Sequence, residues 1–287
     1  MKRFYENVTV LAEGDGFGVR LDGKPLRTPA KAALVLPSRA LADAIAAEWR
    51  GQGVTVKLSE LPLTRLASTG LDLVAARRGE IAAEVARYAG TDLVCYRADY
   101  PPELARRQQT AWQPLVDWAT LRYDARLEVT AGIVPVTQSP ATLRAFASAV
   151  ESYGNLELAA LHLATSAAGS LVVALALVEG HLDVESAFAA AQLDESFEIE
   201  QWGEDAEQTE RRAALKDDMA LAHRFITLLR DADPPVRPSA SSHQTISASC
   251  CALRRTTRLT PSLAVRSVRF SAIRTLAASS PRRRPRS

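Results

Sequence analysis

Residues 17–25, FGVRLDGKP, decide how the first part of this chain folds. Phe17, Val19 and Leu21 alternate with polar or small residues, the period of a half-buried strand. Asp22-Gly23 follows at once, and this dipeptide suits the two-residue turn of a hairpin. Working outward, Phe4 to Leu11 alternates as well, and the GDG of residues 14–16 supplies the turn between those two strands. Pro25 and Pro29 punctuate a further short strand, Ala33 to Leu36 forms the next, and VTVKL (54–58) reads as one more. Ser38 is placed as the N-cap of a helix through LADAIAAEW to Trp49, which Gly51 and Gly53 stop.

After Pro62 the period changes from two to between three and four. LASTGLDLVAARRGEIAAEVARY (66–88) is helical with a soft spot at Gly70. Pro101-Pro102 opens a helix carrying Trp112, Leu115 and Trp118, and Ser139-Pro140 opens another. ESAFAAAQLDESFEIEQWG and AEQTERRAALKDDMALAHRFITLLR are the last strong segments. The predicted fold class is α+β: a small β-rich N-terminal domain, residues 1–66, then a larger all-α domain, residues 67–231.

Leu158 to Val178 has no formal charge over 21 residues, about the ~20 that a membrane-spanning helix needs. His162, Thr165, Ser166, Ser170 and the small-residue stretch SAAGS argue instead for buried helix, or a helix pair broken near Gly169. No membrane insertion is expected.

The formal charge of +2 conceals a division. Residues 232–287 hold eleven arginines, no lysine, one aspartate and no glutamate, a net charge of +10, which leaves the body at −8. This Arg/Ser-rich tail has no sustained period and reads as disordered. Arginine outnumbers lysine 30 to 5 over the whole chain, as GC-rich coding would give. An out-of-frame or non-native extension therefore fits its composition better than a functional arm.

Local catalytic motifs are missing. GVRLDGKP (18–25) approaches a phosphate-binding loop, but Pro25 stands where a hydroxyl residue is needed and no helix follows. His162, His181, His223 and His243 form no ligand motif, and Cys95 among apolar neighbours suits packing. No metal, cofactor or catalytic residue is assigned. Cys95, Cys250 and Cys251 are too few and badly spaced for a disulfide framework, which fits a reducing compartment. The N-terminus shows neither a secretion signal nor a transit peptide, so bacterial cytoplasm is the expected location.

The body's most unusual feature is DESFEIEQWGEDAEQTE (194–210), with eight carboxylates before the first basic residue, Arg211. One reading is a solvated helix face with Trp202 turned to the core. The other is an electronegative docking surface for a protein partner.

KRFYENVTV, GFGVRLDGKPLRTPAK, AIAAEW, LPLTRLAST, YAGTDLVCYRA, WQPLVDW, AAGSLVVALAL and LDESFEIEQWG occur in this order between Lys2 and Arg230. Together they make the chain resemble the assembly chaperones for the F-type ATP synthase alpha subunit, the "ATP-twelve" family. The resemblance implies a two-domain protein without cofactor or catalysis. Such a protein binds the unassembled alpha subunit and prevents its aggregation until the beta subunit replaces it. It also implies that Asp194 and Glu195 are partner-binding, with Glu195 the counterpart of the family's functionally important glutamate. Trp49, Thr64-Arg65 and Thr91-Asp92 match as structural positions. Glu198, Gln201 and Gly70 depart from the pattern, where glutamine, a basic residue and a better helix former are usual. The body is expected to be a monomer that binds no nucleic acid. Competing readings are a small-molecule enzyme with a site between the domains, and a nucleic-acid binder working through the basic tail.

Overall fold

Why the hairpin forms is visible at its turns. In the computed structural model, which describes residues 2–231 apart from 133 and 204, β1 (Val8–Glu13) pairs antiparallel with β2 (Gly16–Leu21). The register runs from Val8 opposite Leu21 to Glu13 opposite Gly16. Asp22 and Gly23 both take positive φ, 48° and 78°, giving the twist that joins β2 to β3 (Lys24–Pro25) without splaying the strands. The Asp22 carboxylate also accepts from the backbone N–H groups of Asn7 (2.8 Å) and Glu6, which hold it below the ordinary aspartate range. β4 (Val35–Leu36) pairs with the other end of β2, so β2 is the centre of the sheet.

VTVKL (54–58) is a correction. It makes an isolated bridge, Lys2 opposite Thr55, and no strand. Val54 is exposed, and the Gln52 side chain takes the Lys57 N–H at 2.7 Å, so no ladder can run through it. The first strand likewise begins at Val8, not Phe4; before it the Arg3 guanidinium donates to the backbone oxygens of Tyr5 (3.0 Å) and Gln52 (2.7 Å).

α1 (Arg39–Arg50) covers the sheet with Leu41, Ala42, Ile45, Ala46 and Trp49, a buried stripe at helical spacing. Ser38 caps it as expected, accepting from the Leu41 N–H. Glu48 near its end caps α2 (Pro62–Ser68), taking the N–H groups of Leu63 (2.7 Å) and Thr64 (3.0 Å) and the Thr64 hydroxyl (2.7 Å). That hydroxyl accepts from Trp49 Nε1 at 3.1 Å, and the Tyr5 hydroxyl donates to the Trp49 carbonyl at 2.7 Å. Trp49 and Thr64 therefore join the sheet to the helical body.

From α2 the chain continues through wide π-type turns at Thr69–Val74 into α3 (Ala75–Arg87). Gly70 has a packing reason: a Cβ there would lie 2.8 Å from Leu156 Cδ2 and 3.1 Å from Leu156 Cα. The body adds α4 (Pro102–Tyr123), α5 (Pro140–Glu151), α6 (Asn155–Ala168) and α7 (Leu171–Val178). α8 (Val184–Ala191), α9 (Leu193–Trp202) and α10 (Ala206–Arg230) complete it. A two-stranded parallel ribbon, β5 (Tyr96–Arg97) with β6 (Thr130–Ala131), lies beside α4. The fold is α+β, a small β-rich region followed by a mostly helical one.

The uncharged segment 158–178 is a helix pair broken at Gly169, whose φ is 63°. α7 is buried along its whole length. Buried Asp92 stands at its start, accepting from the Ser170 hydroxyl (2.5 Å) and the Val172 N–H (3.0 Å). Burial pushes the Asp92 carboxyl up to about 6, against those donors. No helix among the described residues is long and apolar enough to cross a membrane. The expectation for residues 232–287 lies outside the described residues.

Candidate functional site

The acidic stretch folds as α9 and the start of α10. α8 ends at Ala191, and Gln192 alone, whose φ of −111° and ψ of 23° leave the helical region, separates it from α9. Asp194 and Glu195 fall in the first turn of α9, where carboxylates complement the helix dipole. α9 has no fully buried residue; Leu193, Phe197 and Ile199 are half-buried. Side-chain pairs therefore do much of the work of fastening it.

Asp194 points inward. It accepts from Gln108 Nε2 at 2.8 Å, and Gln108 Oε1 accepts from the Ala98 N–H at 2.6 Å. Burial raises the Asp194 carboxyl above the usual aspartate range, while the Gln108 amide and nearby Arg97 pull it down. Arg97 is buried over the Trp112 ring (5.1 Å to the centroid), and its Nη1 donates to the Gln108 carbonyl at 3.3 Å. Glu195 turns to α10 instead. It accepts from Gln208 Nε2 at 3.1 Å and forms an ion pair with Arg211, its side chain 17% exposed. Glu200 pairs with Arg107 of α4 at 2.7 Å, and the same guanidinium lies 5.3 Å from the centre of the Phe197 ring. Ser196 accepts from Arg212 Nη2 at 2.9 Å.

What remains outward is a smaller set. Glu198, Gln201 and Trp202 are exposed on α9, as are Asp205, Glu207 and Glu210 at the start of α10. Trp202 is 87% exposed, so the core-facing placement weighed for it is wrong. An exposed indole beside carboxylates is the composition of an interface anchor, apolar yet able to donate from Nε1. A groove of about 530 Å³ runs beside this helix between α4 and α8, lined largely by small side chains such as Thr110, Ala111 and Ala189.

Other sequence-chosen residues have structural places. Cys95 is buried, and burial pushes its thiol up to about 12, far from thiolate reactivity. His181 stacks on Trp118 with centroids 4.8 Å apart, and His223 Nδ1 lies 3.2 Å from the Leu177 carbonyl. Among the described residues no group of His, Cys, Asp or Glu is arranged to hold a metal ion. Sequence reasoning missed Glu48 and Glu179. Glu179 accepts from the Tyr123 hydroxyl (2.7 Å), the Tyr153 hydroxyl (3.1 Å) and Arg122 Nε (2.8 Å). Nothing in the residues around either glutamate signals such a role.

A β-rich N-terminal region, a helical body and an acidic helix held to its surface define an α+β protein that presents a charged, aromatic-tipped helix to solvent. Comparison with known proteins gives the particular family. Residues 2–120 match the family model described as ATP12 chaperone protein. The crystal structure of Atp12 from Paracoccus denitrificans superposes with a TM-score of 0.78 at 40% identity, covering 80% of this chain and 98% of that one. A mutant of P. denitrificans Atp12p matches with the same TM-score at 39% identity, over 80% and 98% of the two chains. The mitochondrial protein atp12 of Schizosaccharomyces pombe is 26% identical over 233 residues, 76% of this chain and 80% of its own. The chain belongs to the ATP12 chaperone family.

Proposed function

We propose that this protein is an assembly chaperone of the F-type ATP synthase that binds the unassembled alpha subunit and shields it from aggregation until the beta subunit takes its place. Membership of the ATP12 chaperone family supports the chaperone activity. The observation that carries the docking surface is Trp202, 87% exposed at the tip of an acidic helix whose other aromatic residue, Phe197, is tucked against Arg107. Subunits awaiting assembly expose large apolar interfaces that aggregate. A chaperone for one of them needs an apolar anchor with a charged surround, so that the complex is specific and still reversible.

Within this reading Asp194 and Glu195 belong to the partner-binding segment as positioning residues. Asp194 fixes the first turn of α9 to Gln108, and Glu195 fixes it to α10. Glu198 and Trp202 make the contact. The protein works as a monomer in the bacterial cytoplasm without a cofactor.

The test is a pull-down from cell extract with the full chain, followed by an aggregation assay on purified alpha subunit. Recovery of free alpha subunit and suppression of its light scattering are expected. Trp202→Ala should weaken both by about tenfold or more, the loss of an interface anchor worth ~2 kcal/mol. Recovery of beta subunit or nucleic acid instead of alpha subunit would overturn the assignment.

A further inference from the structure

The β-rich region carries a second concave surface, built from residues separate from α9. One part, about 550 Å³, lies between the Arg27–Pro29 segment, Trp49 and the outer side of α2 with the turns that follow it. Another, about 600 Å³, runs along β3 past Phe4 and Tyr5. Both are lined by Arg27 and Trp49, so the two hollows adjoin across those side chains and are treated together as one surface groove.

Its lining is apolar where solvent should favour polar groups. Leu58 (70% exposed) and Leu73 (46%) line the first hollow with Trp49 and buried Leu61, and Phe4 (63%) lines the second with Trp49. Isolated exposed leucines need no explanation, but three large apolar side chains around one groove mark an interaction surface. Thr28 in the same wall is 4% exposed, and its hydroxyl has no hydrogen-bond partner among the described residues. Folding alone gives no reason for either feature.

The charges indicate what fits. The body carries a net charge of −8, yet this groove has guanidinium groups on both walls, Arg27 on the sheet side and Arg65 on α2. Among the described residues neither forms an ion pair; Arg27 donates to the Lys31 carbonyl at 2.7 Å, and Arg65 acts on Asp218 only at longer range. The one carboxylate in that part of the lining, Asp72, is engaged with the Ala30 N–H at 2.9 Å.

We propose that this groove binds an extended segment of the client polypeptide in which apolar side chains adjoin carboxylates. The apolar groups cover Leu58, Leu73 and Phe4, and the carboxylates meet Arg27 and Arg65. This second contact rests on the chaperone reading above and adds a grip distant in sequence from α9. Two modest contacts on one chain also raise the effective concentration of each for the other.

A photo-crosslinking residue at position 58, and separately at position 202, tests it on the full chain with unassembled alpha subunit. Position 58 should crosslink to an acidic, apolar stretch identified by mass spectrometry. Arg27→Glu with Arg65→Glu should lower that yield about tenfold, equivalent to ~1.4 kcal/mol, with the thermal midpoint and the crosslinks from position 202 unchanged. Crosslinks from 202 with none from 58 would overturn the groove and leave the functional reading standing. So would an unchanged yield in the double variant, or crosslinks from 58 to a second copy of this chain. Loss of crosslinks at both positions would overturn the two readings together.

Discussion

Glu195→Lys separates a residue that touches the client from one that holds the touching helix in place. In the native chain the Glu195 carboxylate accepts from Gln208 at 3.1 Å and pairs with Arg211, whose side chain is 61% exposed against 17% for Glu195. A pair this wet is worth ~0.2–1 kcal/mol. The Gln208 bond adds ~0.5–1.5 kcal/mol, and lysine facing Arg211 adds a repulsion about as large as the lost attraction. The expected loss is therefore ~1–3 kcal/mol, a fall of roughly 2–12 °C in a chain of this size. Because α9 has no fully buried residue, that loss loosens α9 more than the fold. Protection of the alpha subunit should drop with it. The companion is Glu195→Lys with Arg211→Glu, which restores an attractive pair in reversed order. If Glu195 is a positioning residue, the double variant regains both the melting temperature and the protection. Melting by circular dichroism and light scattering of alpha subunit read the two separately. Recovery of melting without protection would refute the reasoning and place the Glu195 charge in the interface itself.

Three further outcomes follow from the geometry. Trp49→Arg should cost more than ~3 kcal/mol, since it empties a buried site and strands a guanidinium beside Thr64 and Tyr5; a melting temperature near wild type with binding lost would contradict this. Gly70→Ala should destabilise despite a helix-propensity gain of ~1 kcal/mol, because the contact with Leu156 Cα at 3.1 Å involves backbone that cannot swing away and overpacking costs ~1–3 kcal/mol; a higher melting temperature would show that α6 yields. Glu179→Gln tests acid sensitivity. Burial would raise the Glu179 carboxyl, but Tyr123, Arg122 and Tyr153 together hold it below the ordinary value. A lowered folded pKa contributes stability above the unfolded value of ~4.3, lost as pH falls through the folded pKa. Wild type should thus exceed Glu179→Gln by ~1–3 kcal/mol at pH 7, with the gap closing below about pH 4. A gap independent of pH in urea titrations would remove the charge from that account.

What the sequence disclosed depended on how far away the deciding partner lies. Asp22-Gly23 sets its turn through its own φ angles, and Ser38 caps its helix three residues on, so both are legible in a window of a few residues. VTVKL (54–58) has strand composition, but a strand also needs a neighbour, and Gln52 claims the Lys57 N–H first. Gly70 reads as a weak helix former because its reason, Leu156, is on another helix. The same limit governs the acidic helix. Counting carboxylates in residues 194–210 suggests a broad negative surface. The fold assigns Asp194 to Gln108, 86 residues away, and Glu200 to Arg107, 93 residues away, while Arg211 takes Glu195. Three of the four acids on α9 are thus engaged within the chain; Glu198 is exposed, and Glu200 is exposed as well beside its pair with Arg107. A partner recognising this helix therefore meets far less charge than the sequence displays, and the exposed indole of Trp202 becomes the larger feature. Under the proposed function, these internal pairs hold the helix that offers the indole, and a substitution at Asp194 or Glu195 is expected to weaken binding without either carboxylate reaching the partner.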